Sequence, residues 1–310
     1  MTVADLSERE LIARIQQRLL PRPEWLLVPI GDDAAVVEPA RNRVDVLTVD
    51  AIVDGIHFDR AFVPPDAIGH RALAVNLSDL AAMGAAPRLA LLSMMLPPDL
   101  PVADFDGIAA GCAALAARHT VHIVGGNLTR TSGPLTIDVT AIGTVKRRQA
   151  LTRAGARAGD EVYVSGTIGA AADRGSRAYL YPEPRVRLGV LLARNRAATA
   201  CMDLSDGLAD AAHQIACASG VGMTLDAAAM PVHGDVIAAI AAGDDYELLF
   251  TTRPRWRNRL RAAIRHAGVS LTRIGVCTER REVLLSRDGD LEPMPSGYAH
   301  FGRSDGLRET

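Results

Sequence analysis

Apolar positions along the 310-residue chain recur at two periods, one helical and one of alternate residues. Ser7 and Glu10 form a capping box, and Leu11, Ile12, Ile15, Leu19 and Leu20 follow at helical spacing, which predicts a first helix. VDVLTVDAIV (44–53) predicts a buried strand. Residues 66–83 predict a helix, with Pro65 before it and Gly84 at its close. LALLSMML (89–96) reads as a strand, 102–118 as a helix, VHIV as a strand leading into Gly125-Gly126, and PLTIDVTAIGTV (134–145) as a long alternating strand. RRQALTRAGARAGD (147–160) is polar, Gly-punctuated and aperiodic, so the domain boundary is placed there, giving domains 1–148 and 149–310. EVYVSG (161–166) starts a new strand; a loop or short helix and an apolar helix near 186–193 follow. ACMDLSDG ends a strand and opens a helix over about 206–218. Strand 221–226, helix 233–241, strand 246–251, helix 254–267 and strand 271–277 complete the pattern. Both halves mix helices with strands, some of them long and alternating. That favours α+β (mixed α/β) over a doubly wound sheet.

Composition narrows the function classes. At 48% apolar, the chain has ample material for a core and a length that suggests two domains. Its 34 basic and 36 acidic residues leave a formal charge of -2, which favours neither nucleic acid nor an anionic membrane. No apolar run approaches the ~20 residues of a membrane span. The first ten residues, MTVADLSERE, do not resemble a signal peptide, so a cytoplasmic location is expected. Cys112, Cys201, Cys217 and Cys277 make no C-x-x-C pair and read as free thiols. Of the 34 basic residues only Lys146 is lysine, and it lies outside any G-x-x-x-x-G-K-[ST] loop. Phosphate must therefore be met by arginine, backbone N–H groups or metal.

The candidate chemistry lies in oxygen-bearing side chains. GDD occurs at 31–33 and again at 243–245, each time ahead of an apolar run. Asp32-Asp33, Asp50, Asp79, Asn127, Asp203 and Asp206 sit at element ends or on polar helix faces. Asp33 could cap a turn, and Asp206 or Ser205 could cap a helix. Asp50 interrupts an apolar strand, where an unpaired carboxylate costs several kcal/mol, so it demands a partner. A set of carboxylates without Cys or His in metal spacing suits a hard cation such as Mg²⁺. Gly125-Gly126 and Gly166-x-x-Gly169 follow strands and could bring N–H groups to phosphate. RPRWRNRLR (253–261) looks basic, yet Trp256, Leu260 and Ile264 fall four apart, which makes its arginines the solvated face of a helix. His57 reads equally as a core histidine or a pocket residue.

GDDAAVV, TVDAIVDGIHFD, NLSDLAAMGAAPR, GGNLTR, ALTRAGARAGD, DLSDGLAD and GDDYELLF, in that order, resemble the thiamine-monophosphate kinase family of the aminoimidazole-ribonucleotide synthetase-like superfamily. The resemblance spans almost the whole chain. It implies the two-domain fold of that superfamily, a homodimer joined through the N-terminal sheets, and ATP-dependent phosphorylation of thiamine monophosphate to thiamine diphosphate. It implies several Mg²⁺ ions at Asp33, Thr48, Asp50, Asp79, Asp203 and Asp206. Nucleotide falls to Gly126, Asn127, Arg153 and Ser205, and thiamine phosphate to His57, Asp244 and Tyr298. No side chain is assigned as an acid, base or nucleophile. Three departures stand out. Asn127 replaces the Asp of a Gly-Gly-Asp pattern, Asp244 replaces the Glu of Gly-Gly-Glu-Asp, and the 170–185 segment is shorter. Two rival readings are another ATP-dependent synthetase of the superfamily and a nucleotide-binding protein whose Asn127 has weakened catalysis.

Overall fold

The computed structural model describes residues 1–295. After a turn at Val3–Asp5 comes α1 (Glu8–Gln16), whose capping box forms as expected: Ser7 N–H donates to the Glu10 carboxylate at 2.8 Å and Ser7 Oγ accepts from Glu10 N–H. Leu11 and Ile15 are buried, whereas Leu19 and Leu20 lie beyond the helix end. The first half continues through β1 (Leu26–Val28), β2 (Val36–Val37), β3 (Arg43–Val53), α2 (Pro65–Ala82), β4 (Ala86–Leu96), α3 (Val102–His119), β5 (His122–Arg130) and β6 (Thr136–Lys146). A four-stranded sheet runs in the order β3-β6-β4-β5. β6 is antiparallel to both its neighbours, and β4 and β5 are parallel.

Helices α2 and α3 cover one face of this sheet. Every residue of α2 from Ala67 to Ser78 is buried, so the helix is enclosed on all sides. It meets α3 backbone to backbone: a Cβ on Gly69 would sit 1.8 Å from the Ile108 carbonyl oxygen. Among the described residues, the other sheet face is covered at one end, where the β1–β2 unit packs Leu26 against Leu89 and Val124. The predicted buried strand at 44–53 is thus buried on one face alone. Ile52 faces the core, while Leu47 and Val49 are 66% and 57% exposed. β3 is an edge strand of a sheet with helices on one side only, which gives alternate residues opposite environments.

The second half contains β7 (Glu161–Ser165), α4 (Arg177–Leu180), α5 (Val186–Asn195), β8 (Ala200–Asp203), α6 (Gly207–Ser219), β9 (Gly222–Asp226), α7 (Val236–Ala241), β10 (Leu248–Thr252), α8 (Arg257–Ile264), β11 (Leu271–Thr278), β12 (Val283–Arg287) and β13 (Asp290–Pro293). They form a seven-stranded sheet, β13-β12-β9-β11-β7-β10-β8, in which only the β9–β12 pairing is parallel. β12 and β13 escaped the sequence reading because charged residues crowd ERREVLLSRDGDLEP and dilute the alternation. Along α8, Leu260 and Ala263 are buried and Arg257, Arg259 and Arg261 are exposed, as the helical spacing predicts.

The halves share a core. Leu188 and Leu192 of α5 and Leu248 and Phe250 of β10 join the cluster formed by α2 and α3. A second cluster under α6 holds Leu208, Ile215 and Met223. α2 therefore touches both sheets' surroundings, and its last turn meets β8. Among the described residues, no helix is long and apolar enough to cross a membrane.

Candidate functional site

Four of the expected metal residues converge on the seam between the halves. Thr48 and Asp50, two apart on β3, point to the same side as Ile52, which the two-residue strand period requires. Asp79 lies in the last turn of α2, and Asp203 ends β8. The Thr48 hydroxyl donates to Asp79 Oδ2, and Ser78 Oγ donates to Asp203 Oδ2 at 2.7 Å. Adjacent residues of one helix thus reach one residue from each half.

Electrostatics records the crowding. Burial pushes the Asp50 carboxyl up to about 7, and the Asp79, Asp203 and Asp138 carboxylates add to the rise. Burial likewise raises Asp203 to about 7, with Asp79 reinforcing it and the Ser78 hydrogen bond and Arg153 opposing it. The group's side-chain donors are all oxygen, which fits a hard divalent ion. Among the described residues, no three His, Cys, Asp or Glu side chains already stand as a metal-holding group.

The remaining site residues are more dispersed. Asp206 occupies the N-cap of α6 without a capping hydrogen bond from its side chain. The Ser205 carbonyl accepts from Asp244 N–H at 2.8 Å. Arg153 donates to Gln214 Oε1 on α6. Asp33 is exposed in the turn before β2, where its N–H donates to Asp32 Oδ1 at 2.8 Å. Asn127 does not join the Asp50 group. Pairing aligns Ala51, Asp138, Ser93 and Asn127 in one row across the sheet, on the face opposite Asp50, which pairs with core-facing Val139. β5 also runs straight through Gly125-Gly126 rather than ending before it. Gly126 presses on β4, where a Cβ would lie 1.8 Å from the Leu92 carbonyl oxygen.

The expected phosphate cradle at Gly166-x-x-Gly169 does not form, because both N–H groups already have partners. Gly166 N–H donates to Ser270 O at 2.9 Å and Gly169 N–H to Asp245 Oδ2 at 2.7 Å. Asp245 is thereby a loop-holding residue, accepting from Gly169 and Ala171 N–H. Its carboxyl is pushed up to about 6, chiefly by burial.

His57 and Asp244 stand on a second cluster. Val53 N–H donates to His57 Nδ1 at 3.1 Å, and the His57 carbonyl accepts from Tyr179 Oη at 2.9 Å. Asp244 Oδ1 accepts from Arg71 Nη2 at 3.1 Å and from Tyr246 Oη at 3.0 Å. Tyr298 lies outside the described residues. Sequence reading missed Ser78, Asp138, Arg71 and Tyr179. The one usable signal was Arg71 itself, a charge set among the apolar residues of GHRALAVNL.

The chain matches the AIR synthase related protein family, its N-terminal domain over residues 31–145 and its C-terminal domain over 157–286. It is 34% identical to the thiamine-monophosphate kinase of Synechococcus elongatus, across 96% of this chain and 99% of that protein. The Bacillus subtilis thiamine-monophosphate kinase is 30% identical across 96% of this chain and 100% of its own. A crystal structure of thiamine-monophosphate kinase from Stenotrophomonas maltophilia superposes with a TM-score of 0.80 at 37% identity, covering 93% of this chain and 98% of that one. AaThiL complexed with AMPPCP and TMP gives a TM-score of 0.73 at 30% identity, covering 97% and 99%. Escherichia coli HypE, a hydrogenase maturation protein, shares the fold with a TM-score of 0.78 at 22% identity, covering 93% and 98%. The two-domain α+β fold expected from the motifs is the one observed.

Proposed function

The chain belongs to the AIR synthase related family and, within it, to the thiamine-monophosphate kinases; from that premise we propose how its own residues carry the reaction. It is a phosphotransferase that uses ATP to convert thiamine monophosphate to thiamine diphosphate. The observation that carries the mechanism is the convergence of Thr48, Asp50, Asp79 and Asp203 on one seam.

These four are proposed to hold Mg²⁺, with Asp33 and Asp206 completing the set. Mg²⁺ held there would supply charge neutralisation between the two anions and stabilisation of the transferring phosphoryl group. Gly126, Asn127, Arg153 and Ser205 are assigned to nucleotide, and His57, Asp244 and Tyr298 to thiamine monophosphate. Residues 1–148 and 149–310 are taken as the two domains. The acceptor needs little activation, since a phosphate monoester has a second pKa of ~6 and is mostly dianionic at neutral pH. Its oxygen attacks the γ-phosphorus in line, and the bond to the β,γ-bridging oxygen breaks as ADP leaves. No phosphoenzyme is invoked, so mixing the protein with ATP alone should leave it unphosphorylated by intact mass.

A coupled assay for ADP release, with and without thiamine monophosphate, tests the activity. Strict dependence on thiamine monophosphate is expected. Tight ATP binding without that dependence would instead favour a nucleotide-binding protein.

Asn127 lies on the sheet face opposite Asp50, so its assignment is to nucleotide and not to the metal group. Asn127→Asp, which sets a carboxylate against the nucleotide phosphates, should raise the KM for ATP several-fold and leave the half-saturating Mg²⁺ concentration within about twofold. An unchanged KM for ATP would remove Asn127 from the nucleotide contacts.

We assign a homodimer through the outer face of the four-stranded sheet, supported by exposed Leu47 and Val49 on β3 and Leu91 on β4, the two strands that flank β6. A cytoplasmic location accords with four free cysteines, three of them buried.

A further inference from the structure

Arg71 lies in the middle of α2 at 1% exposure, yet it carries a full charge. Its Nη1 donates to the Tyr179 carbonyl, its Nη2 donates to Asp244 Oδ1 at 3.1 Å, and its guanidinium lies 4.1 Å over the Tyr179 ring. Its Nε has no partner among the described residues. A buried ion pair adds to stability only when the geometry is good and the remaining donors are satisfied, and replacement by apolar groups is often neutral. Stability alone therefore gives a poor account of this arginine.

Its geometric effect is clearer. Asp244 and Tyr246 both adopt left-handed backbone conformations, with φ of 66° and 51°, which residues other than glycine take only when surrounding contacts enforce them. Arg71 and the Tyr246 hydroxyl both act on Asp244 Oδ1 and leave Oδ2 as the oxygen they do not hold. The Asp244 side chain is 39% exposed, so a fixed carboxylate keeps one acceptor oxygen available. On its other side, Arg71 holds Tyr179, whose hydroxyl donates to the His57 carbonyl.

We propose that Arg71 is a positioning residue for thiamine monophosphate. It aims Asp244 Oδ2 at the cationic thiazolium or aminopyrimidine portion of the substrate. Through Tyr179 it ties that carboxylate to the His57 segment, so both substrate contacts are set by one buried cation. This inference rests on the assignment of His57 and Asp244 to the substrate.

The test is steady-state kinetics on the full chain, with ATP and thiamine monophosphate varied separately. Arg71→Met should raise the KM for thiamine monophosphate by about tenfold or more, and Tyr246→Phe by a few-fold, while the KM for ATP stays within about twofold. Arg71→Met added to Asp244→Asn should cost little beyond Asp244→Asn alone, since the two act through one contact. Equal rises in both KM values, or full additivity, would overturn the proposal. Where Arg71→Met does not fold, Tyr246→Phe and Tyr179→Phe, which each lose one hydroxyl and keep the ring, decide the matter. No change in the thiamine monophosphate KM of either would then overturn it. A wild-type protein without thiamine monophosphate-dependent turnover would overturn the functional assignment first, and this inference with it.

Discussion

Replacing Asp203 by Asn should lower kcat by about a thousandfold, on the scale of losing one preorganised electrostatic contact to the transferring group. The same variant should melt several degrees higher than the metal-free wild type at pH 8. The two effects share one cause. Asp203 is 4% exposed, faces Asp79, and has its carboxyl raised by burial to about 7. An acid whose folded pKa lies above its unfolded value is bound to its proton more tightly in the native state. Its contribution to stability is full below about pH 4, falls as pH rises through the folded value near 7, and is gone above it. Asparagine stands in for the protonated form, keeps an acceptor oxygen for Ser78, and removes the charge at every pH. The gain in melting temperature should therefore be large at pH 8 and close to zero at pH 4. Adding Mg²⁺ should stabilise the wild type at pH 8, more weakly at pH 6, and the variant little at either. Thermal melts in EDTA and in Mg²⁺, beside turnover rates, separate the readings. A variant that is less stable yet nearly as active would make Asp203 structural.

Leu47→Asp should split the proposed homodimer. Leu47 is 66% exposed on β3, two residues from Val49, whose row crosses Thr140 of β6 to Leu91 of β4. Burying a leucine side chain stabilises by about 1.5–3 kcal/mol. A two-fold interface loses that contribution twice and gains two carboxylates that must be desolvated. The dimer dissociation constant should rise by about a thousandfold or more. Sedimentation velocity across a concentration series reads this directly. The fold should hold, because Leu47 faces away from the core of the protomer. An unchanged sedimentation coefficient would move the interface elsewhere.

Much of this architecture was written locally in the chain. The capping box at Ser7 and Glu10, the span of α2 and the ends of β8 and α6 come from contacts within a few residues. Period alone identified β3 but not which of its faces would be covered, since that depends on where α2 and β1–β2 come to lie. Site residues were readable where the sequence violated its own pattern, as Asp50 does inside an apolar strand. Asp138 obeyed the pattern, a polar residue at an outward position, and so gave no sign of its proximity to Asp50. Asn127 shares the row of Asp138, not that of Asp50, because of register across four strands, which no local motif encodes. The Gly166 and Gly169 turn looked like a phosphate loop until Ser270 and Asp245, distant in sequence, took its N–H groups.

The enclosure of α2 has a consequence for substrate choice. Arg71 and Asp79 lie eight residues apart on this one rigid rod, about 12 Å along its axis at 1.5 Å per residue. Under the proposed assignments Arg71, at mid-helix, would set the carboxylate that meets the organic cation, and Asp79, in the last turn, the seam where phosphates meet. α2 is thus a measuring stick between recognition and chemistry. A thiamine analogue with a longer arm between ring and phosphate would dock at the first mark and overshoot the second.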